Sequence, residues 1–329
     1  MNPVFIVGTQ RSGTTLLRLI LNAHSEIAIP EEANFLMPLL KRKYLRGGLR
    51  GDLLSRIASY LQVNPQFKLW NYDSSDFILS LRSRENISLR DLVDGLFLSY
   101  CRAMNKAGWG DKTPSFFRKL DVILDLFPDA RIIHIIRDGR DVFDSWRKMD
   151  PTKNYVGVVA LEWRYKIWKI EKSLAEIPDG RKMTVRYEDL LEKPRETVSG
   201  ICDFCGVPFE QGMMNFYETS DRYVGEHHSN LIFGPLDAAN RFKWRQNLTL
   251  GERRIFQSVA GMVLRKYRYE TEDVAMRFSD ALFVLRNLTA GLPLRAFQVA
   301  RTKLMIERAV QKGGSAGLGD VGKMPKRRN

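Results

Sequence analysis

Near the start of the chain, Gly8-Thr9-Gln10-Arg11-Ser12-Gly13-Thr14-Thr15 sets two glycines around hydroxyls and a guanidinium. Glycines let a loop fold tightly, so successive backbone N–H groups converge on one point. A helix starting at Thr14 adds the positive end of its dipole, and a phosphate-sized anion is the natural occupant. In a P-loop that hydrolyses nucleoside triphosphates, lysine follows the second glycine. Here Thr14 stands in that place and the cation is Arg11. This suits a ligand with one phosphate at this point better than ATP or GTP. The plain alternative is a tight strand-to-helix turn capped by Ser12 or Thr14.

A second cluster, Arg137-Asp138-Gly139-Arg140-Asp141, follows an apolar run, and Ser145 comes later in the same segment. The step from Arg137 to Ser145 is a little over two turns, so a helix beginning near Asp138 would turn Ser145 toward the strand end that carries Arg137. Ligands of open α/β sheets bind at that edge. Arginine plus hydroxyl makes a second anion site; the pentapeptide alone also reads as a solvated turn with local ion pairs. Two further groups could do chemistry. Glu31 and Glu32 follow Pro30, where carboxylates suit either general-base work or the first turn of a helix. Lys112, in Gly110-Asp111-Lys112-Thr113-Pro114, is either a point charge for a transferred group or a solvated turn lysine.

Taken together, these motifs resemble the sulfotransferases that use 3′-phosphoadenosine 5′-phosphosulfate (PAPS). Within that family, the segment from Arg11 through Glu32 is most similar to the tyrosylprotein and Golgi-type branch and its bacterial relatives. The lysine in the first loop and the lysine-x-histidine base motif of the small-molecule cytosolic enzymes are both missing. The resemblance implies a P-loop-type, three-layer α/β fold with a mainly parallel sheet flanked by helices. It implies that Arg11, Ser12, Gly13, Thr14 and Thr15 hold the 5′-phosphosulfate, and that Arg137 and Ser145 read the 3′-phosphate.

By the same resemblance Glu32 matches the general base, although sequence alone does not separate it from Glu31. Lys112 matches the lysine that stabilises the leaving phosphate and the sulfuryl group, which Arg11 could also bridge. Thr113 stands where that branch often has aspartate. Tyr187, Ser229 and Lys243 match residues near the nucleotide, with Lys243-Trp244-Arg245 closing over the adenosine. The co-substrate is then PAPS, the acceptor carries a hydroxyl (glycan, peptide tyrosine, lipid or small molecule), and cationic side chains make a metal unnecessary. No nucleic-acid partner is expected.

These residues need elements to hold them. A short apolar run over 3–7 reads as a strand, and Thr14 to Ala23 has helical spacing. Phe116 to Phe127 predicts a helix, and the run Arg131 to Ile136 predicts a strand covered on both faces. Helices follow over 138–149 and 156–175. Lys182 to Arg186 reads as a third strand, with helices over 194–204 and 251–267. Residues 34–105 look mostly helical, broken at Gly47-Gly48, Asn64-Pro65 and 83–88, and 221–247 is polar and irregular. Strands alternating with helices predict a mainly parallel sheet. Glu188 reads as a cap on the helix that begins there. Cys202 and Cys205 read as core thiols, His134 as packed within its strand, His24 as shaping a turn, and Trp163, Tyr165 and Trp168 as core. His227-His228 could touch substrate.

The whole chain sets the outer bounds. It has 329 residues, a net charge of +14 and 44% hydrophobic residues. That composition excludes collagen-like and wholly disordered classes, and the excess charge favours an anionic partner. Three cysteines are too few for a disulfide framework, and no run reaches the roughly twenty apolar residues of a membrane span. A soluble cytoplasmic protein is expected. Residues 1–274 form the expected catalytic domain. Residues 275–311 form a C-terminal basic helical region, and 312–329 a flexible basic tail. A P-loop kinase-like nucleotide binder is one rival reading; the basic region carries another, a non-catalytic protein bound peripherally to the inner membrane surface through that helix, a contact that would also suit the enzyme.

Overall fold

The computed structural model describes residues 1–150, 153–222 and 232–272, with isolated positions 289, 293 and 300. Ser229, the histidine pair 227–228 and the C-terminal basic region and tail lie outside the described residues, apart from those isolated positions.

The strands are β1 (Val4–Gly8), β2 (Ile27–Ala28), β3 (Leu49–Arg50), β4 (Asn86–Ile87), β5 (Gly108–Asp111), β6 (Arg131–Ile136) and β7 (Lys182–Arg186). The helices that build or flank the site are α1 (Thr14–Asn22), α2 (Lys43–Gly47), α3 (Asp52–Val63), α4 (Pro65–Lys68), α5 (Ser75–Arg82), α6 (Leu89–Ala103) and α7 (Leu120–Leu126). They continue with α8 (Gly139–Met149), α9 (Val156–Ala175), α10 (Tyr187–Glu192), α11 (Pro194–Cys205), α12 (Trp244–Asn247) and α13 (Leu250–Lys266). Five strands form one sheet in the order β2-β5-β1-β6-β7, and every pairing is parallel. β3 and β4 pair separately as a short antiparallel ribbon among the helices α2–α6.

Side-chain alternation along β1 accounts for three layers. Val4 and Ile6 join Leu17 and Ile20 of α1 and Val198 and Ile201 of α11 on one face. Phe5 and Val7 point the other way, into a cluster with Phe97 of α6, Ile123 of α7 and Ile170 of α9. β6 does the same, with Ile133 and Ile135 on the first face and Ile132 on the second. Ile136, at its end, meets a third cluster built by α8, α9 and α13. A strand buried on both faces has no need of regularly alternating polar residues, hence a run of isoleucines interrupted by one buried histidine, His134. Local caps fix the helix starts: Asp138 accepts from the Arg140 amide at α8, and Thr249 and Glu252 form a capping box at α13.

Several expectations need correction. β2 and β5 carry no strand signal in the sequence: β2 has two residues, and two of the four in β5 are glycine. Pairing to β1 makes them strands, not their own propensity. The helix expected over 116–127 is a 3₁₀ turn at Pro114–Arg118 followed by α7. Trp163 is buried, but Tyr165 and Trp168 are about half exposed and do not belong to the core. Among the described residues, no helix is long and apolar enough to cross a membrane.

Candidate functional site

Because all five strands run the same way, their carboxyl ends share one edge. Read across the sheet in spatial order, the segments leaving β2, β5, β1, β6 and β7 carry Glu32, Lys112, Arg11, Arg137 and Tyr187. The candidate residues therefore form a row, one from each strand.

At the β2 end, the two adjacent carboxylates have different partners. Glu31 Oε1 takes Arg18 Nη2 of α1 at 2.8 Å. Glu32 Oε1 lies 2.6 Å from the buried ammonium of Lys112, and Asn34 donates to Glu32 Oε2 at 3.0 Å. Thr113 ties the two segments together. Its hydroxyl donates to Asp111 Oδ1 at 2.8 Å and accepts the Ala33 N–H at 2.7 Å, and its own N–H donates to Asp111 Oδ2 at 2.9 Å. The hydrogen bonding left open by threonine at this position is thus complete. Asp111 is fully buried, and burial pushes its carboxyl up to about 7 against the pull of the Thr113 hydroxyl and Lys112.

In the middle of the row, the first loop closes on itself. Ser12 Oγ donates to the Thr9 carbonyl and lies 3.1 Å from Thr9 Oγ1. Gly13 stands before α1 with φ 91°, and a Cβ there would lie 2.3 Å from Cδ2 of Tyr187. Glycine is needed on both counts. Thr14 and Thr15 begin α1 and are buried. Arg11 adopts φ 72°, and its Nε donates to Ser145 Oγ at 2.9 Å. Arg11 thus links Ser145 to Arg137, the two residues expected at one phosphate, since Arg137 Nη1 donates to the Arg11 carbonyl at 3.3 Å.

Arg137 is held from several sides. Nη2 donates to the Asn240 carbonyl at 3.2 Å and lies 3.7 Å from Asp141 Oδ2, and the guanidinium stands 4.5 Å from the centre of the Tyr187 ring. Its Nε is buried with no hydrogen-bond partner among the described residues. Asp141 also accepts the Trp244 N–H at 2.8 Å, which docks α12 on α8. Burial pushes the Asp141 carboxyl up to about 6, with Arg137 pulling the other way. Lys243 immediately precedes α12 and is exposed, so its backbone is anchored and its side chain faces solvent.

Asn240, Asp141 and the Thr113 bridge are parts of the site that spacing alone does not indicate. Glu188 is another. It does not cap α10; its carboxylate is buried and accepts the Asp138 N–H at 3.0 Å. His24 does shape its turn, lying 2.9 Å from the Pro208 carbonyl and accepting the Glu26 N–H at 3.0 Å. Cys202 and Cys205 are buried free thiols, and burial pushes both upward, to about 11 and about 12.

The arrangement offers a tight amide loop, two guanidiniums and a carboxylate–ammonium pair along one sheet edge, suited to a phosphorylated ligand next to a hydroxyl that must lose a proton. Comparison with known proteins agrees in kind. A protein of Aquifex aeolicus is 25% identical over 224 residues, covering 66% of this chain and 27% of its own length. The protein-tyrosine sulfotransferase of Drosophila melanogaster is 23% identical over 259 residues, covering 73% of this chain and 46% of its own length. The chain thus spans well under two thirds of either relative. The sulfotransferase domain from the curacin biosynthetic pathway superposes with a TM-score of 0.60 at 24% identity, covering 82% of this chain and 99% of that domain, and shares its fold. The sequence profile of the sulfotransferase family matches residues 3–211, and the chain belongs to that family.

Proposed function

We propose that this protein transfers a sulfuryl group from PAPS to an acceptor hydroxyl and releases adenosine 3′,5′-bisphosphate. The observation that carries the proposal is the row at the sheet edge: an amide loop with Arg11 beside Arg137, and Glu32 against Lys112 at 2.6 Å on the far side. The donor fits the residues present. Gly13, at φ 91° and with no room for a Cβ beside the Tyr187 ring, lets the first loop turn tightly into α1, and the Arg137 Nε–H is buried without a hydrogen-bond partner among the described residues.

PAPS supplies the activated sulfuryl group and a phosphate leaving group. Gly13, Thr14 and Thr15 direct main-chain N–H groups and the threonine hydroxyls at the 5′ end, with the α1 dipole behind them, while Ser12 holds the loop closed by donating to the Thr9 carbonyl. Arg137 and Ser145 take the 3′-phosphate with Tyr187 beside them, and the family resemblance assigns Lys243, and Ser229 outside the described residues, to the same nucleotide. Glu32 accepts the proton of the attacking hydroxyl. Its partner Lys112 orients it and, with Arg11, offers positive charge where the leaving oxygen gains negative charge. Glu31 is turned to Arg18 of α1, whereas Glu32 is turned to Lys112 beside the proposed transfer site, which supports Glu32 as the base.

The test has two arms. In a thermal-shift assay, adenosine 3′,5′-bisphosphate should stabilise the protein more than ATP-Mg does, and Arg137→Ala should erase that margin. With radiolabelled PAPS and a panel of peptide, sugar, lipid and phenol hydroxyls, Glu32→Gln should lower turnover by about 10²–10⁴-fold, the usual worth of a positioned base. Greater stabilisation by ATP-Mg would instead favour a kinase-like nucleotide binder.

A further inference from the structure

The junction of β7 and α10 touches both anion loops at once. The Tyr187 ring, 4% exposed, lies against Gly13 of the first loop and under the Arg137 guanidinium of the second. The next residue, Glu188, is 1% exposed. Its Oε1 accepts the Asp138 N–H at 3.0 Å, the peptide group that leaves Arg137, and its Oε2 accepts the Tyr269 hydroxyl at 2.9 Å. Tyr269 belongs to the short strap that follows α13. The strap's next carbonyl, Glu270 O, accepts from Arg140 Nη2 at 2.7 Å, and Arg140 grips Asp138 Oδ2 at 2.7 Å. The backbone that carries Arg137 is therefore held from below by two buried ionic groups, one from α10 and one from its own helix.

Such a carboxylate is a poor choice if only packing were required. Desolvation opposes its charge, and burial pushes Glu188 up to about 7. The benefit lies in direction: a carboxylate accepts two hydrogen bonds at once and fixes the Asp138 amide against an element that already touches the first loop.

We infer that Glu188, braced by Tyr269, is a positioning residue that sets the span between the two anion loops and thereby the preference for a nucleotide phosphorylated at both its 5′ and 3′ ends. This rests on the donor proposed above. Glu188 itself has no place beside the ligand; it acts through the Asp138 amide on Arg137.

The experiment titrates the full chain with adenosine 3′,5′-bisphosphate and with adenosine 5′-monophosphate, and reads the ratio of the two affinities. Glu188→Leu leaves the Asp138 N–H unpaired and should reduce the ratio by about tenfold, on the scale of one lost hydrogen bond to a charged group, with 5′-monophosphate binding held. Glu188→Gln keeps an acceptor for that N–H and should retain most of the ratio. Tyr269→Phe removes one brace and should reduce the ratio by a smaller factor; it decides the matter if Glu188→Leu does not fold. Equal weakening of both ligands in Glu188→Leu, or an unchanged ratio in Glu188→Leu or Tyr269→Phe, overturns the inference while leaving the donor in place. If the parent protein shows no preference and Arg137→Ala changes nothing, the donor proposal itself falls.

Discussion

Replacing Thr113 by valine swaps a hydroxyl for a methyl of nearly equal size, so packing is kept and two hydrogen bonds are lost. One is donated to Asp111 Oδ1 at 2.8 Å; the other is accepted from the Ala33 N–H at 2.7 Å. Both lie in the buried interior, where water cannot easily replace them. Each buried group left without its partner costs about 1–3 kcal/mol, so the variant should lose roughly 2–6 kcal/mol. For a domain of this size, each kcal/mol lowers Tm by about 2–4 °C, which makes the drop roughly 4–24 °C. Thr113→Ser, which keeps the oxygen, should recover most of it. Urea or thermal unfolding followed by circular dichroism reads the change directly, with no acceptor needed. Binding of adenosine 3′,5′-bisphosphate should change little, because Arg11 and Arg137 stand on other strands. A loss below about 1 kcal/mol, within the ordinary range for one net hydrogen bond, would show that the bridge between the Glu32 and Lys112 segments is not held by this hydroxyl.

Two further perturbations follow from the geometry. Gly13→Ala meets both a positive φ and the Tyr187 ring, and should cost about 1–2 kcal/mol from the backbone alone. Adding Tyr187→Ala should relieve the clash but not the backbone term, so a double-mutant cycle measured by denaturant unfolding should be non-additive in the relieving direction, and strict additivity would mean no contact. His134 is fully buried, with neither ring nitrogen partnered among the described residues, and burial pushes it down to about 4. The unfolded ring takes its proton near 6.5, so between those values the unfolded state binds more protons and the fold loses stability as pH falls. His134→Leu should therefore gain in Tm relative to the parent as pH drops from about 6.5 toward 4, on the scale of up to about 3 kcal/mol; a margin that stays flat with pH would refute this.

Much of the fold could be read in the sequence because its signals are local. The isoleucine-rich run of β6, the spacing of α9 and the glycines around Arg11 each announce an element within a few residues. β2 and β5 do not, since their strand character comes from neighbours distant in sequence. The candidate site divides in the same way. Arg11, Lys112 and Arg137 stand at loops that the motifs mark. The different partners of Glu31 and Glu32 are closed to sequence, because Arg18 and Lys112 approach from different elements. Thr113 looked like a departure from the pattern until its hydroxyl was seen to accept from Ala33, eighty residues earlier. Glu188 looked like a cap because helix starts favour acidic residues, and only tertiary contact with Asp138 and Tyr269 reveals its orientation.

The one-residue-per-strand row has a consequence for how such a protein can be altered. Glu32 and Lys112 sit on the two strands at one margin of the sheet, Arg137 and Tyr187 on the two at the other, and β1 with Arg11 separates them. On the function proposed above, changes at Glu32 bear on the acceptor hydroxyl and changes at Arg137 or Tyr187 on the nucleotide, while Lys112 and Arg11 stand between the two. One scaffold would then have two margins that can be altered separately, with those two cations as the shared boundary.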